Sequence, residues 1–151
     1  MTVHKSERKQ SKFQVVVNAN RIRKELLEYV LVDFGLTQGI TETEQWLLMR
    51  CRDRIFDCLS ELVSEITLAN SVNVHYLKTW DAYYERYHHQ NLALAKCHQL
   101  IQEIQTLTDC VHGINVNKYM RTIRLIDDEI GLIKGWRKAD NQVKKLLPPL
   151  G

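Results

Sequence analysis

An all-α, up-down antiparallel four-helix bundle is the fold class this sequence predicts, and three observations predict it. Breakers are scarce: 151 residues hold six glycines and two prolines, and Pro148 and Pro149 both lie at the C-terminal end. A chain with so few turn-formers is usually helical. Apolar residues recur at three- and four-residue steps in four long segments, the period of a helix with one buried face. The segments are joined by short polar stretches, and short connections make neighbouring helices antiparallel. The length is that of one ordinary domain, and 44% hydrophobic residues can supply its core. We divide the chain into a basic N-terminal tail (1–10), the bundle (11–145) and a C-terminal tail (146–151).

The first helix is expected from about Ser11 to Phe34, with Phe13, Val17, Ile22, Leu26, Tyr29, Val30 and Phe34 at near-helical spacing. Its start is less strongly specified, because Val15–Val17 is β-branched. Gly35 and Gly39 bracket a loop, "GLTQGIT". Thr41 and Glu44 then fit a capping box, which opens the second helix. Leu48, Cys51, Ile55, Cys58, Leu62, Ile66 and Ala69 form its seam. "NSVN" breaks the pattern. In the third helix Tyr76, Trp80, Tyr84, Tyr87, Asn91, Leu94, His98, Ile101, Ile104 and Val111 hold the period. Gly113 ends it, and Asn115 or Asn117 caps the fourth helix. That helix runs to about Lys144 on a seam of Tyr119, Ile123, Ile126, Ile130 and Ile133.

The formal charge of +3 is unevenly spread. Residues 1–24 are net +6, residues 118–145 net +4, and the stretch between them net −7. A basic face can meet a nucleic-acid backbone, although such faces are also common as plain solvated surface. The candidate contacts are Lys118, Arg121, Arg124, Lys134, Arg137 and Lys138 on the last helix, with Arg21, Arg23 and Lys24 on the first. Arg8, Lys9 and Lys12 add charge at the same end. In an up-down bundle the first and fourth helices are commonly neighbours, so the two regions can join into one surface.

"DDEIGLIKGWRK" (127–138) poses a separate question, because two glycines interrupt a strong helical pattern. Each costs a helix interior about 1 kcal/mol relative to alanine. Measured from the isoleucine seam, Gly131 and Gly135 fall roughly 120–160° away. Leu125, Leu132 and Trp136 form a second apolar stripe roughly 100–140° away on the other flank. A helix packed on a neighbouring subunit would have such a stripe, and glycine would allow a close approach. The five residues are therefore candidates for an oligomer interface. The alternative is that Gly135 lies near a fraying terminus and Trp136 folds back on its own bundle.

The segment "NKYMRTIRLIDDEIGLIKGWRK" resembles the last helix of the bacterial four-helix-bundle family that includes Avd, the accessory variability determinant of diversity-generating retroelements. The proteins encoded in intervening sequences of 23S ribosomal RNA genes belong to the same superfamily. Tyr119, Asp128, Glu129, Ile130, Gly131, Gly135 and Trp136 match its pattern in order. "RDRIFDCLSELVSEITLAN" (52–70) and, more weakly, "LALAKCHQLIQEI" (92–104) resemble its second and third helices. The resemblance implies a pentameric ring of bundles. It also implies a non-catalytic protein that binds an error-prone reverse transcriptase and its template RNA and cDNA. A bundle of the intervening-sequence type, acting as a general scaffold without a reverse transcriptase, is the second expectation.

Catalytic patterns are poor. Cys51 and Cys58 are seven apart on one helix face and read as buried thiols. His88, His89, Cys97 and His98 lack CxxC or HExxH spacing, and His98 is expected on the core seam, so no metal or cofactor is expected. The aromatic run Tyr76, Trp80, Tyr83, Tyr84 and Tyr87 can pack in a core or subunit contact, or stack bases. No arginine is followed at four to six intervening residues by a histidine, which argues against a ribonuclease of the HEPN type. No small-molecule substrate is expected. No run of about 18 apolar residues suggests a membrane span, and "MTVHKSERKQSKF" lacks an apolar signal core. A cytoplasmic location with reduced thiols is the expectation.

Overall fold

A computed structural model describes residues 5–72 and 79–149, with side chains described from Gln14 onward. Tyr76 and the side chains of Arg8, Lys9, Lys12 and Phe13 lie outside the described residues. Four long helices account for nearly all of the rest. Helix α1 (Lys5–Glu25) runs on through a π-helical turn (Leu26–Val30) and a last α-turn (Leu31–Asp33). Helices α2 (Glu42–Ser71), α3 (Trp80–Cys110) and α4 (Asn117–Lys144) follow. The first helix thus starts at Lys5, and residues 5–10 of the expected tail are helical.

The π turn has a clear packing consequence. The Leu31 amide donates to the Leu26 carbonyl, one residue farther back than in an α-helix. The extra residue shifts the helical phase, and Leu26, Val30, Leu31 and Phe34 are all buried. Phe34 then takes a left-handed φ of 58°, and Gly35 one of 67°, which turns the chain out of the helix. Thr41 opens α2 with the expected capping box: its hydroxyl accepts from the Glu44 amide at 3.1 Å, and Glu44 Oε1 accepts from the Thr41 amide at 3.2 Å.

Cross-contacts establish the up-down order. Along α1 and α4, Asn18 meets Leu125, Glu25 meets Arg121 and Asp33 meets Lys118, so the two helices are antiparallel. Along α2 and α3, Glu65 meets His89, Glu61 meets Lys96 and Arg54 meets Glu103. Between α3 and α4, Arg86 meets Asp140 and Arg137 meets Asn91. The two loops at one end lock together. The Thr37 amide donates to the Gly113 carbonyl at 2.8 Å, and the Asn115 amide to the Gly35 carbonyl at 2.7 Å. Gly113 has φ of 78°, and a Cβ there would collide with the Gln38 side chain. The expected stop at Gly113 therefore has a steric and a conformational cause. Asn115 Oδ1 accepts from the Asn117 amide at 3.1 Å, at the start of α4.

The α2 seam is buried as the spacing predicts, with Leu59 added. Three other seams need correction. In α1, Tyr29 is exposed, while Val15, Asn18 and Ala19 are buried. In α3 the inward line is Tyr83, Arg86, Gln90, Ala93, Cys97, Leu100, Ile104 and Leu107, so His98 is exposed rather than on the core seam. In α4 the line is Tyr119, Thr122, Ile126, Glu129, Ile133, Trp136 and Asp140, with Ile123 and Ile130 only half-buried. Tyr29 is turned out within the π turn, whereas α3 and α4 share another reason. Polar residues occupy inward positions, so apolar spacing alone points to a line rotated by tens of degrees.

Candidate nucleic-acid interface

Helix α1 lies along α4, so the two basic segments do meet. Asn18 anchors the contact, its Nδ2 donating to the Leu125 carbonyl at 2.9 Å and to Glu129 Oε2 at 2.8 Å. Tyr119 adds a buried hydroxyl that donates to the Phe34 carbonyl at 2.6 Å. On the outer side of this seam stand Arg21 and Lys24 from α1 and Arg121 and Arg124 from α4, all exposed. Arg121 reaches Glu25 at 3.8 Å, a loose pair in water. Arg21, Lys24, Arg124, Lys134 and Lys138 are exposed and make no ion pair or hydrogen bond among the described residues. Exposed acids, Glu28, Asp127 and Asp128, are interleaved with them.

The remaining predicted contacts are engaged elsewhere. Lys118 is half-buried, paired with Asp33 and 4.6 Å from the Tyr29 ring centroid. Those bonds hold Asp33 below the usual carboxylate range. Arg137 donates to Asn91 Oδ1 at 2.6 Å and covers the Tyr87 ring. Arg23 donates to Asn20, and two residues along a helix place it roughly 160° from Arg21. Lys118, Arg137 and Arg23 thus do not belong to the open face.

The expected interface residues separate into two groups. Trp136 is 3% exposed and packs inside its own bundle, with the Arg86 guanidinium 4.9 Å from its ring centroid. Its assignment to an outer stripe is corrected. Leu125 and Leu132 are half-buried and pack on the same core, on the flank of α4 where Asn18 of α1 bonds the Leu125 carbonyl. The second stripe is therefore largely the α1-facing edge of the true core line. Gly131 and Gly135 do lie on the outer face, where an added Cβ would meet nothing within 4 Å. Nothing among the described residues requires glycine at either position.

Inside the bundle sits a polar layer that the sequence pattern did not reveal. Arg86, 2% exposed, donates to Asp140 Oδ2 at 2.7 Å and to the Val72 carbonyl at 2.8 Å. Gln90 donates to the same carboxylate oxygen at 2.8 Å. Deeper in, Glu129 is fully buried with Asn18 as its donor, and burial pushes its carboxyl up to about 8. The signal available in sequence was the heptad repeat of Thr122, Glu129 and Trp136, which only an independently known core direction would have made readable. The thiols Cys51, Cys58 and Cys97 are buried, as expected for the first two, and desolvation pushes Cys58 up to about 11. Such thiols are inert rather than nucleophilic. Among the described residues, no group of three His, Cys, Asp or Glu side chains is placed to hold a metal ion. No helix among the described residues is long and apolar enough to cross a membrane. No protein-family model matches the chain, and neither a curated protein nor a solved structure matches it.

Proposed function

We propose that this chain is a non-catalytic accessory of a diversity-generating retroelement, holding an error-prone reverse transcriptase on its template RNA and cDNA. The observation that carries the reading is the joined basic surface on α1 and α4, where Arg21, Lys24, Arg121 and Arg124 stand exposed on adjacent helices. Four cations on one rigid face suit a phosphate backbone and read no sequence, because nothing here reaches for base edges. The resemblance of the last helix to the Avd-like bundles supplies the partner. It also supplies the assembly, a homopentameric ring, in which the open patch at Gly131 and Gly135 would face a neighbouring subunit. Repeating the basic surface around a ring makes the contact multivalent and raises avidity without new chemistry.

A second reading is a scaffold of the 23S intervening-sequence type that acts without a reverse transcriptase. The interleaved acids Glu28, Asp127 and Asp128 favour it, because they dilute the field of the basic face. A reverse-transcriptase gene beside this one separates the two. The experiment on the protein is the charge-reversed variant Arg121→Glu/Arg124→Glu. It should lose RNA affinity by at least tenfold while keeping its helix content. Equal affinity in the variant and wild type would remove this face from the mechanism. A reverse transcriptase that still co-purified with the variant would then leave protein contact as its main role.

A further inference from the structure

A second basic surface lies at the opposite end of α4, and its chemistry differs. Between the start of α3 and the end of α4 runs an open groove of about 580 Å³, lined by Trp80, Lys138, Asn141, Gln142, Lys144 and Lys145. Aromatic rings adjoin it. Trp80 and Tyr84 stack with centroids 5.7 Å apart and planes inclined by 27°. Tyr83 and Tyr87 stack at 6.1 Å and 13°. Lys144 Nζ lies 5.9 Å from the Trp80 centroid and 5.7 Å from that of Tyr83. The rings are fixed from behind: the Tyr83 hydroxyl donates to Asn141 Oδ1 at 2.8 Å, and Trp80 Nε1 to the Pro148 carbonyl at 2.6 Å. Tyr83 is buried, but Tyr84 remains 48% exposed at the edge of the stack.

We infer that this groove binds single-stranded nucleic acid, an unpaired base stacking on Tyr84 while Lys138, Lys144 and Lys145 meet the phosphates. The inference rests on the nucleic-acid reading above and adds a site of different selectivity. Three arguments carry it. Trp80 lines the groove, and Tyr84, 48% exposed, stacks on Trp80 beside it, so a base can extend this aromatic column next to the lysines, and any base has a face to offer. The α4 side of the groove is of one sign: from residue 130 onward Asp140 is the sole acidic side chain, and it is buried against Arg86. The exposed acids on α3, Asp81 and Glu85, border Tyr84, with Asp81 one turn before it on the same helix surface, so the lysines of α4 carry the phosphate contacts. An acidic peptide would satisfy the lysines but would leave the ring unused, and a duplex keeps its bases stacked inside.

The test measures affinity by fluorescence anisotropy for labelled (dT)20 and for a blunt 20-base-pair duplex, at one salt concentration. Wild type, Tyr84→Ala and Arg121→Glu/Arg124→Glu are compared. Tyr84→Ala should weaken (dT)20 binding by at least fivefold, the low end of one base stack, and leave the duplex within twofold. Arg121→Glu/Arg124→Glu should weaken the duplex instead. If Tyr84→Ala leaves (dT)20 affinity unchanged, or weakens both probes equally, the groove does not stack a base. If poly-glutamate displaces (dT)20 as well as unlabelled (dT)20 does, the groove is a site for acidic chains. Loss through Tyr84→Ala with no effect of the arginine variant would overturn the α1/α4 face and keep the groove. Wild type that binds neither probe would overturn both.

Discussion

Glu129 occupies the middle of the bundle with one hydrogen-bond donor, Asn18, and no cation beside it among the described residues. Burial raises its carboxyl from an ordinary 4.5 to about 8. Between those values the folded chain keeps a proton that the unfolded chain has lost. Stability therefore falls as pH rises from about 4.5 to about 8 and levels off above that. The loss from this residue is on the order of a few kcal/mol. Glu129→Gln keeps an oxygen for Asn18 and removes the titration. Its urea midpoint should be nearly flat between pH 5 and pH 8, where that of the wild type falls. Parallel slopes for the two proteins would show that Glu129 is not the titrating group. This residue also explains why the α4 seam was misread from sequence. A glutamate at an inward heptad position looks like surface, and its neighbours Ile123 and Ile130 look like core.

At the scale of elements, α2 and its capping box were legible, because every inward residue of that helix is apolar and Thr41 and Glu44 carry an unambiguous cap. The breaks at Gly35 and Gly113 were legible for the same local reason. The π turn in α1 was not, since nothing in "LLEYV" distinguishes a wide turn from an ordinary one. The candidate site was legible in part. The sequence placed cations on two helices that prove to be adjacent, but it could not tell the exposed Arg124 from the committed Lys118 and Arg137, whose partners are remote in the chain. The junction of α2, α3 and α4 depends on Arg86, which bonds Asp140 and the Val72 carbonyl and covers Trp136. Arg86→Met takes the cation away from a buried carboxylate that Gln90 still donates to, and should cost about 3 kcal/mol. Arg86→Met/Asp140→Leu removes both charges and should regain much of it. A single variant as stable as wild type in urea unfolding would mean the pair contributes nothing to holding that end together.

At the scale of the whole molecule, the outer face of α4 carries two glycines with open space above them. In an isolated bundle, glutamine at both should stabilise the helix by up to about 1 kcal/mol each. In a ring that uses this patch for close approach, the same changes should break the assembly. Light scattering on wild type at micromolar concentration should give a pentamer, and on Gly131→Gln/Gly135→Gln a smaller species of unchanged helix content. A monomeric wild type would remove the ring.

In the proposed function, the bundle works by presenting fixed positive charge to a nucleic-acid backbone. A salt titration of wild-type affinity for a structured RNA tests it most directly. Phosphate contacts release counterions, so log affinity should fall linearly with log salt, with a slope growing by nearly one for each phosphate neutralised. The expected slope is about −3 or steeper from the four cations of one α1/α4 face, and the same for RNAs of unrelated sequence. Affinity that is flat in salt, or that follows RNA sequence at fixed salt, would contradict it.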